Sequence, residues 1–253
     1  MNLVTFNIRC DYGQDGVNSF QFRKPFVLEK IGKENPDIIC FQEVLPHVAA
    51  WLKENLEDYY VIGCGRDEKL GNEQTSIAYK KSIYNLLQLE VFWLSKTPKV
   101  PGSRYENQSD CPRICTMALF QNVQTDEVFR IYNTHLDHIG SEARKSGLGQ
   151  ILDRMEREET FVQAPAILTG DFNALPDSPE MELLNEYPWL VDLTAGTCGT
   201  FHDFGRTNPA EKIDYILVQD TITCSRAEVW TESFDGVYLS DHYPVSVEIH
   251  FNN

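Results

Sequence analysis

No stretch of the 253-residue sequence is apolar for long enough to cross a bilayer, so an α-helical membrane span is not expected. No cysteine pair has CxxC spacing. The cysteines at 10, 40, 64, 111, 115, 198 and 224 are dispersed, and Cys111 with Cys115 lacks histidines at zinc-site spacing. Reduced thiols in a cytoplasm are the expectation. The opening residues, "MNLVTFNIRC", lack both a charged n-region and an apolar h-region, which predicts a chain that is not exported. Positive charge is scarce: 22 Lys and Arg stand against 38 Asp and Glu, for a formal net charge of −16. That argues against long, sequence-blind duplex binding, which rests on cationic attraction to phosphates. A short strand or small phosphate ester held through a divalent cation is compatible with it. There is no GxSxG elbow and no GxxxxGK[ST] loop, so neither a serine hydrolase nor a P-loop enzyme is indicated. No repeat, low-complexity run or Gly/Ser linker interrupts the chain, which predicts one domain over 1–253 with no evident protein partner.

What the chain has is alternation. Strand patterns recur in "LVTFNIR", "DIICFQEV", "YYVIGCG", "TSIAYKK", "LLQLEVFWLS", "ICTMALFQNV", "EVFRIYNTHL", "AILTGDFN", "KIDYILV" and "PVSVEIHF". Helical spacing falls between them, in "SFQFRKPFVLEKIGKEN" with a serine cap candidate and in "GSEARKSGLGQILDRMEREE". A shorter helix is expected in "SPEMELLNEY", with Ser178 as N-cap and Pro179 at N1. Many strands with helices outside predict a layered α/β sandwich.

Several strands end in polar groups. "AILTGDFNALPD" is an apolar run that ends by placing Asp171 and Asn173 two residues apart, hence on the same side of an extended chain, with Gly170 just before them. Asn7 lies in "VTFNIR" between Phe6 and Ile8, either as an edge residue or as a ligand. "DIICFQEV" runs straight into Gln42 and Glu43, and a carboxylate there needs either a salt bridge or a hard cation such as Mg²⁺. In "RIYNTHLDH", Asn133, His135 and Asp137 share one face if the strand persists. "KIDYILV" buries Asp214, and "YLSDHYPV" sets Asp241 and His242 ahead of the last strand. The latter pair is either a loop or a metal ligand next to an imidazole that works near neutral pH. Together these are the residue types that metal-assisted phosphoryl hydrolysis needs: carboxylates for a hard cation, amides and imidazoles for phosphate oxygens, and a group to orient water.

In order, "TFNIR", "FQEV", "EQTSIAYK", "NTHLDH", "GDFN", "KIDYI" and "SDHYPV" resemble the endonuclease/exonuclease/phosphatase superfamily, the DNase I-like group, over essentially the whole length. "EVFWLSKTP", "CPRICTMALF" and "NTHLDHIGSEAR" look closest to its bacterial, nocturnin-like branch. The resemblance implies a four-layer α/β sandwich, two mostly antiparallel sheets face to face with helices outside. It implies Mg²⁺ or Mn²⁺ on Glu43, helped by Asn7 and Asp241. Asp171 would orient or deprotonate water, and Asn173 would hold that water and a phosphate oxygen. His135 and His242 would stabilise the pentacovalent state, with Asp214 orienting His242 and Glu73 orienting His135. Arg113 and Asn133 are expected at the substrate, with His138, Arg206, Arg144 and Lys212 as further candidates; for a lone cation a surface salt bridge is the alternative.

Ala174 in "GDFNA", where inositol phosphatases of the superfamily carry Arg, and "KIDYI" in place of their "CDRI" argue against inositol phosphates. A sphingomyelinase would need an exposed aromatic hairpin, which is not seen. The segment "CGTFHDFGRTNPAEKID" leads into Asp214 and reads as a substrate loop. The expected activity is a Mg²⁺-dependent phosphodiesterase on a nucleic-acid end or short nucleotide, like a 3′ to 5′ exonuclease. The alternatives are a phosphatase of a small phosphorylated metabolite and, from another class, an inactive phosphate-binding module.

Overall fold

The structure is a computed structural model that describes residues 1–159 and 163–252. In chain order the elements are β1 (Asn2–Asn7), α1 (Phe20–Glu34), β2 (Ile38–Gln42), α2 (Pro46–Asn55), β3 (Tyr59–Ile62), β4 (Ile77–Lys80), β5 (Tyr84–Trp93), β6 (Ile114–Asn122) and β7 (Val128–His135). Then come α3 (Ser141–Glu159), β8 (Ala166–Asp171), β9 (Leu190–Asp192), β10 (Asp214–Gln219), β11 (Ile222–Val229), the two-residue strands β12 (Ser233–Phe234) and β13 (Val237–Tyr238), and β14 (Val245–Phe251). They form two six-stranded sheets, ordered β11-β14-β1-β2-β4-β3 and β5-β6-β7-β8-β10-β9. Only β1–β2 and β7–β8 pair in parallel within these sheets; the other strand pairs are antiparallel.

Alternation sorts the side chains of each strand into two apolar layers. Leu3, Ile38, Cys40, Ile77, Ala118, Ile131, Ile167 and Ile216 fill the space between the sheets. On the outer face of the first sheet Val4, Phe6, Ile39 and Phe41 pack under Val27 and Ile31 of α1 and Val48 and Leu52 of α2. On the outer face of the second sheet Met117, Tyr132, Leu168 and Leu217 lie under Leu148, Ile151 and Met155 of α3. The result is the four-layer α/β sandwich.

Local details differ from the sequence expectation. Ser19 precedes α1 but its hydroxyl caps nothing in the helix; it bonds Gly16 O at 2.7 Å. The Ser178 segment forms a 3-10 helix, Met181–Glu186, instead of an α-helix, and the carbonyl of Ser178, not its side chain, receives the first N–H groups. Helix α2 was not anticipated; it starts at Pro46, whose fixed φ and missing N–H suit a first turn. Edge strand β11 also escaped notice, because its outward residues mix Ser, Arg and Glu with few apolar ones. All seven cysteines are free, and no helix among the described residues is long and apolar enough to cross a membrane.

Candidate active site

The strand ends meet at one end of the sandwich, and pairing register dictates which side chains become neighbours. In the second sheet His135 faces Asp171 across β7–β8, and Asp171 faces Asp214 across β8–β10. In the first sheet Asn7 pairs with Gln42, so the next residue, Glu43, arrives beside Asn7. Glu43 adopts a left-handed φ of 61° and Asn173 one of 49°, conformations that turn each chain sharply just past its strand. Gly170 has φ +147°, and a Cβ there would stand 2.0 Å from Thr134 O, so only glycine lets β8 lie this close to β7.

Asn7 is buried and braces the cluster: its Nδ2 donates to Glu43 Oε1 at 3.0 Å and to Asp171 Oδ2 at 2.9 Å. Its Oδ1 accepts the Arg9 N–H at 3.0 Å. Glu43 Oε2 accepts Cys10 N–H at 2.8 Å. Asn173 donates its backbone N–H to Asp171 Oδ1 at 2.9 Å and sets its side-chain nitrogen 3.0 Å from His135 Nε2. His242 is held from behind by Asp214, Nδ1 to Oδ2 at 2.8 Å, and its Nε2 stands 3.7 Å from Asp171 Oδ2. Asp241 Oδ2 is engaged by Arg9 Nη1 at 3.2 Å.

Electrostatics divides the labour among these groups. Burial, with Asp214 adding, lifts Asp171 to about 7, against the pull of His242. Burial works against a charged His242, yet the carboxylates of Asp214, Asp171 and Asp241 raise it to about 10. Burial first, then Arg113 and Arg66, holds His135 well below the ordinary histidine range, so that ring is neutral. Glu43 stays below the usual carboxylate range in spite of burial, because Asn7 and Cys10 donate to it and His242 attracts it. The neutral His135 adds no charge attraction there.

One ligand atom each from Glu43, His135 and Asp171 lies within 4.8 Å of the others, as does one each from Asp171, Asp214 and His242. Carboxylate oxygens and imidazole nitrogens make up the set, and its carboxylates fit a hard divalent cation with oxygen preference. The cluster forms the floor of a cavity of about 800 Å³, whose wall includes Arg66, Glu73, Arg113, His138, Arg144, Ser178 and Phe201.

Of the residues expected from sequence, Asn7, Glu43, His135, Asp171, Asn173, Asp214, Asp241 and His242 come together, and Glu73, Arg113, His138 and Arg144 line the same cavity or its margin. Four expectations need correction. Asn133 cannot meet substrate: it is fully buried between the sheets, donating to Phe41 O and Ser76 O and accepting from Gln42 Nε2. Arg206 is spent on its own turn, bonding the Asp203 carboxylate and carbonyl, and does not line the cavity. Glu73 does not hydrogen-bond His135; Arg66 Nη2 takes its carboxylate at 2.8 Å. Lys212 likewise turns away, to Thr194 and Asp192. Arg66 was missed, because a lone arginine in "GCGRDEKLG" carries no periodicity to signal it.

Residues 4–242 match the family model described as the Endonuclease/Exonuclease/phosphatase family. An uncharacterized protein of Acanthamoeba polyphaga mimivirus is 32% identical over 250 residues, covering 91% of this chain and 92% of that protein. An endonuclease/exonuclease/phosphatase structure from Bacteroides vulgatus is 34% identical with a TM-score of 0.92, covering 99% of this chain and 98% of that one. A mannosyl-6-phosphatase from Bacteroides thetaiotaomicron is 29% identical with a TM-score of 0.90, covering 99% of this chain and 100% of that one.

Proposed function

The chain belongs to the endonuclease/exonuclease/phosphatase family, whose chemistry is phosphoester hydrolysis, and on that footing we propose that it is a divalent-metal-dependent hydrolase of small, hydroxyl-rich phosphate esters such as sugar phosphates. The observation that carries this reading is the convergence of Glu43, His135, Asn173 and the Asp214–His242 pair on Asp171, at the floor of a cavity of about 800 Å³. Phe201 is the one phenyl, phenol or indole ring among the described residues of that cavity, and it leans on His242 with centroids 5.0 Å apart. A nucleic-acid end would call for a series of stacking rings and a cationic track. Here the rim carries Asp177 and Glu211, exposed acceptors suited to sugar hydroxyls. The full-length likeness to a mannosyl-6-phosphatase supports the same substrate class.

Glu43, flanked by Asn7 and Asp241, would hold Mg²⁺ or Mn²⁺. That ion would neutralise phosphoryl oxygens and lower the pKa of a nearby water. Asp171 accepts the proton of the attacking water, and Asn173 fixes the water's position. The charged Nε2–H of His242 donates to a phosphoryl oxygen as negative charge develops, and Asp214 keeps the ring in that orientation. His135, neutral beside Asn173, contacts a further oxygen. The test is release of phosphate from a panel of hexose phosphates with Mg²⁺, with Mn²⁺ and with EDTA, beside a 5′-labelled short RNA. Metal-dependent turnover of a hexose phosphate, absent in Asp171→Ala, is expected. Laddering of the RNA with silence on the sugars would overturn the substrate class in favour of a nucleic-acid end.

A further inference from the structure

The wall beside His135 carries an unexplained feature. Arg113 is 4% exposed, yet its Nε and Nη1 have no hydrogen-bond partner, and Nε of the neighbouring Arg66 has none. Buried N–H groups of a cation are rarely left unmade, since each costs more than an ordinary lost bond. The nearby carboxylates are already engaged. Asp137 accepts from Ser109, Ile139 and Gly140 and only approaches Arg113 Nε, at 3.6 Å. Glu73 is taken by Arg66. The remaining Arg113 nitrogen, Nη2, is 2.9 Å from His138 Nδ1. A guanidinium has no acceptor, so His138 Nδ1 accepts, and the ring's proton sits on Nε2. Arg113 and His138 both line the main cavity, and Arg113, Arg66, His135 and Glu43 also line a recess of about 10 Å³ beside it. That space suits a single oxygen and no organic arm.

We propose that Arg113, with His138 beside it, is an anion subsite that takes a terminal oxygen of the scissile phosphate, so that dianionic monoesters are selected over diesters. The proposal rests on the phosphoester reading above and names its ester class. A diester has an organic arm where a monoester has a third terminal oxygen. The recess next to His135 is closed to such an arm, while the unpartnered N–H groups of Arg113 match the oxygen in charge.

Arg113→Lys keeps the charge and removes the planar guanidinium with its several N–H donors. Two readouts on the Mg²⁺-supplemented protein decide the matter: calorimetric binding of inorganic phosphate, and kcat/KM on p-nitrophenyl phosphate against bis-p-nitrophenyl phosphate. Arg113→Lys is expected to weaken phosphate binding at least tenfold and to lower monoester kcat/KM at least tenfold more than diester kcat/KM. Should that variant melt early, the half-exposed His138→Ala is expected to move the same ratio the same way by three- to tenfold. Equal losses on both esters, or unaltered phosphate affinity, would overturn the subsite. If the parent protein hydrolyses neither ester and no sugar phosphate, the functional reading fails, but phosphate binding still decides the subsite by itself.

Discussion

Asp214 Oδ2 sits 2.8 Å from His242 Nδ1, both side chains buried, so the imidazole is fixed from behind and its Nε2 is aimed at Asp171. A carboxylate in that place both sets the ring's orientation and stabilises its charged form. Asp214→Asn keeps the shape and loses the charge. It is expected to lower kcat on the order of 10²-fold or more with little change in KM. Steady-state kinetics checks this, and a parallel fall in 1/KM would instead assign Asp214 to binding.

Asn133 ties the sheets together through Phe41 O, Ser76 O and Gln42 Nε2 at 2.7–3.0 Å. Asn133→Leu strands these partners away from water and is expected to cost about 2–4 kcal/mol in urea unfolding. The surviving folded enzyme should keep its KM within twofold. A KM change of tenfold with unaltered stability would return Asn133 to the substrate.

The same residue shows why part of the site was legible and part was not. Period-two alternation correctly put Asn133 and His135 on one face of β7. It carries no information on where along the strand the opposing sheet stops covering that face. At 133 the face is sealed by β2; at 135 it opens on the cavity. Asp171, Asp214 and Glu43 were readable because a carboxylate at the end or the start of an apolar run has few bland explanations. Arg206 and Glu73 misled because a charge in a loop can be satisfied within its own loop, and nothing in the local sequence marks that. Arg66 is the converse, a loop cation that tertiary contacts bring to the cavity.

Gly170→Ala would set a methyl 2.0 Å from Thr134 O at a φ of +147°. Either β8 moves off β7 or the strand kinks, and both break the register that pairs His135 with Asp171. A loss of about 3 kcal/mol or more is expected, together with loss of turnover. Wild-type unfolding in urea would mean that β7 and β8 are not held this closely in solution.

Two buried histidines should titrate in opposite directions. His242, raised to about 10 against its burial by Asp214 first, stays charged through neutral pH. His202 is lowered to about 4, by burial and then by His242, and it is stacked on Tyr243 at 3.7 Å. A folded-state value above the unfolded one gives stability that is present below about 6.5 and lost as pH climbs toward 10. A depressed value gives stability present above about 6.5 and lost as pH falls toward 4. Between them the two rings place a stability maximum near neutrality. NMR titration of the ring C–H signals in EDTA-treated protein should find His242 in the imidazolium position at pH 8 and His202 neutral at pH 5. Ordinary midpoints near 6.5 for both would remove this account.

Under the proposed function Glu43 is the main ligand of the divalent cation; it stands beside Asn7, and its left-handed φ of 61° turns it off the end of the first sheet into the cluster. Asp241 is less free, because Arg9 already neutralises it at 3.2 Å. The two should therefore differ as ligands. Glu43→Gln retains an oxygen for the Cys10 N–H but sets its amide nitrogen against Asn7 Nδ2 and removes one charge, so the fold is expected to lose about 1–3 kcal/mol. Calorimetric titration with Mn²⁺ should weaken by roughly tenfold or more. Asp241→Asn should weaken it less, because the charge it gives up is one that Arg9 was already offsetting. If Asp241→Asn abolishes binding and Glu43→Gln leaves it untouched, the cation sits on the Arg9 side of the cavity, and Glu43 is a structural acceptor for Asn7 and Cys10.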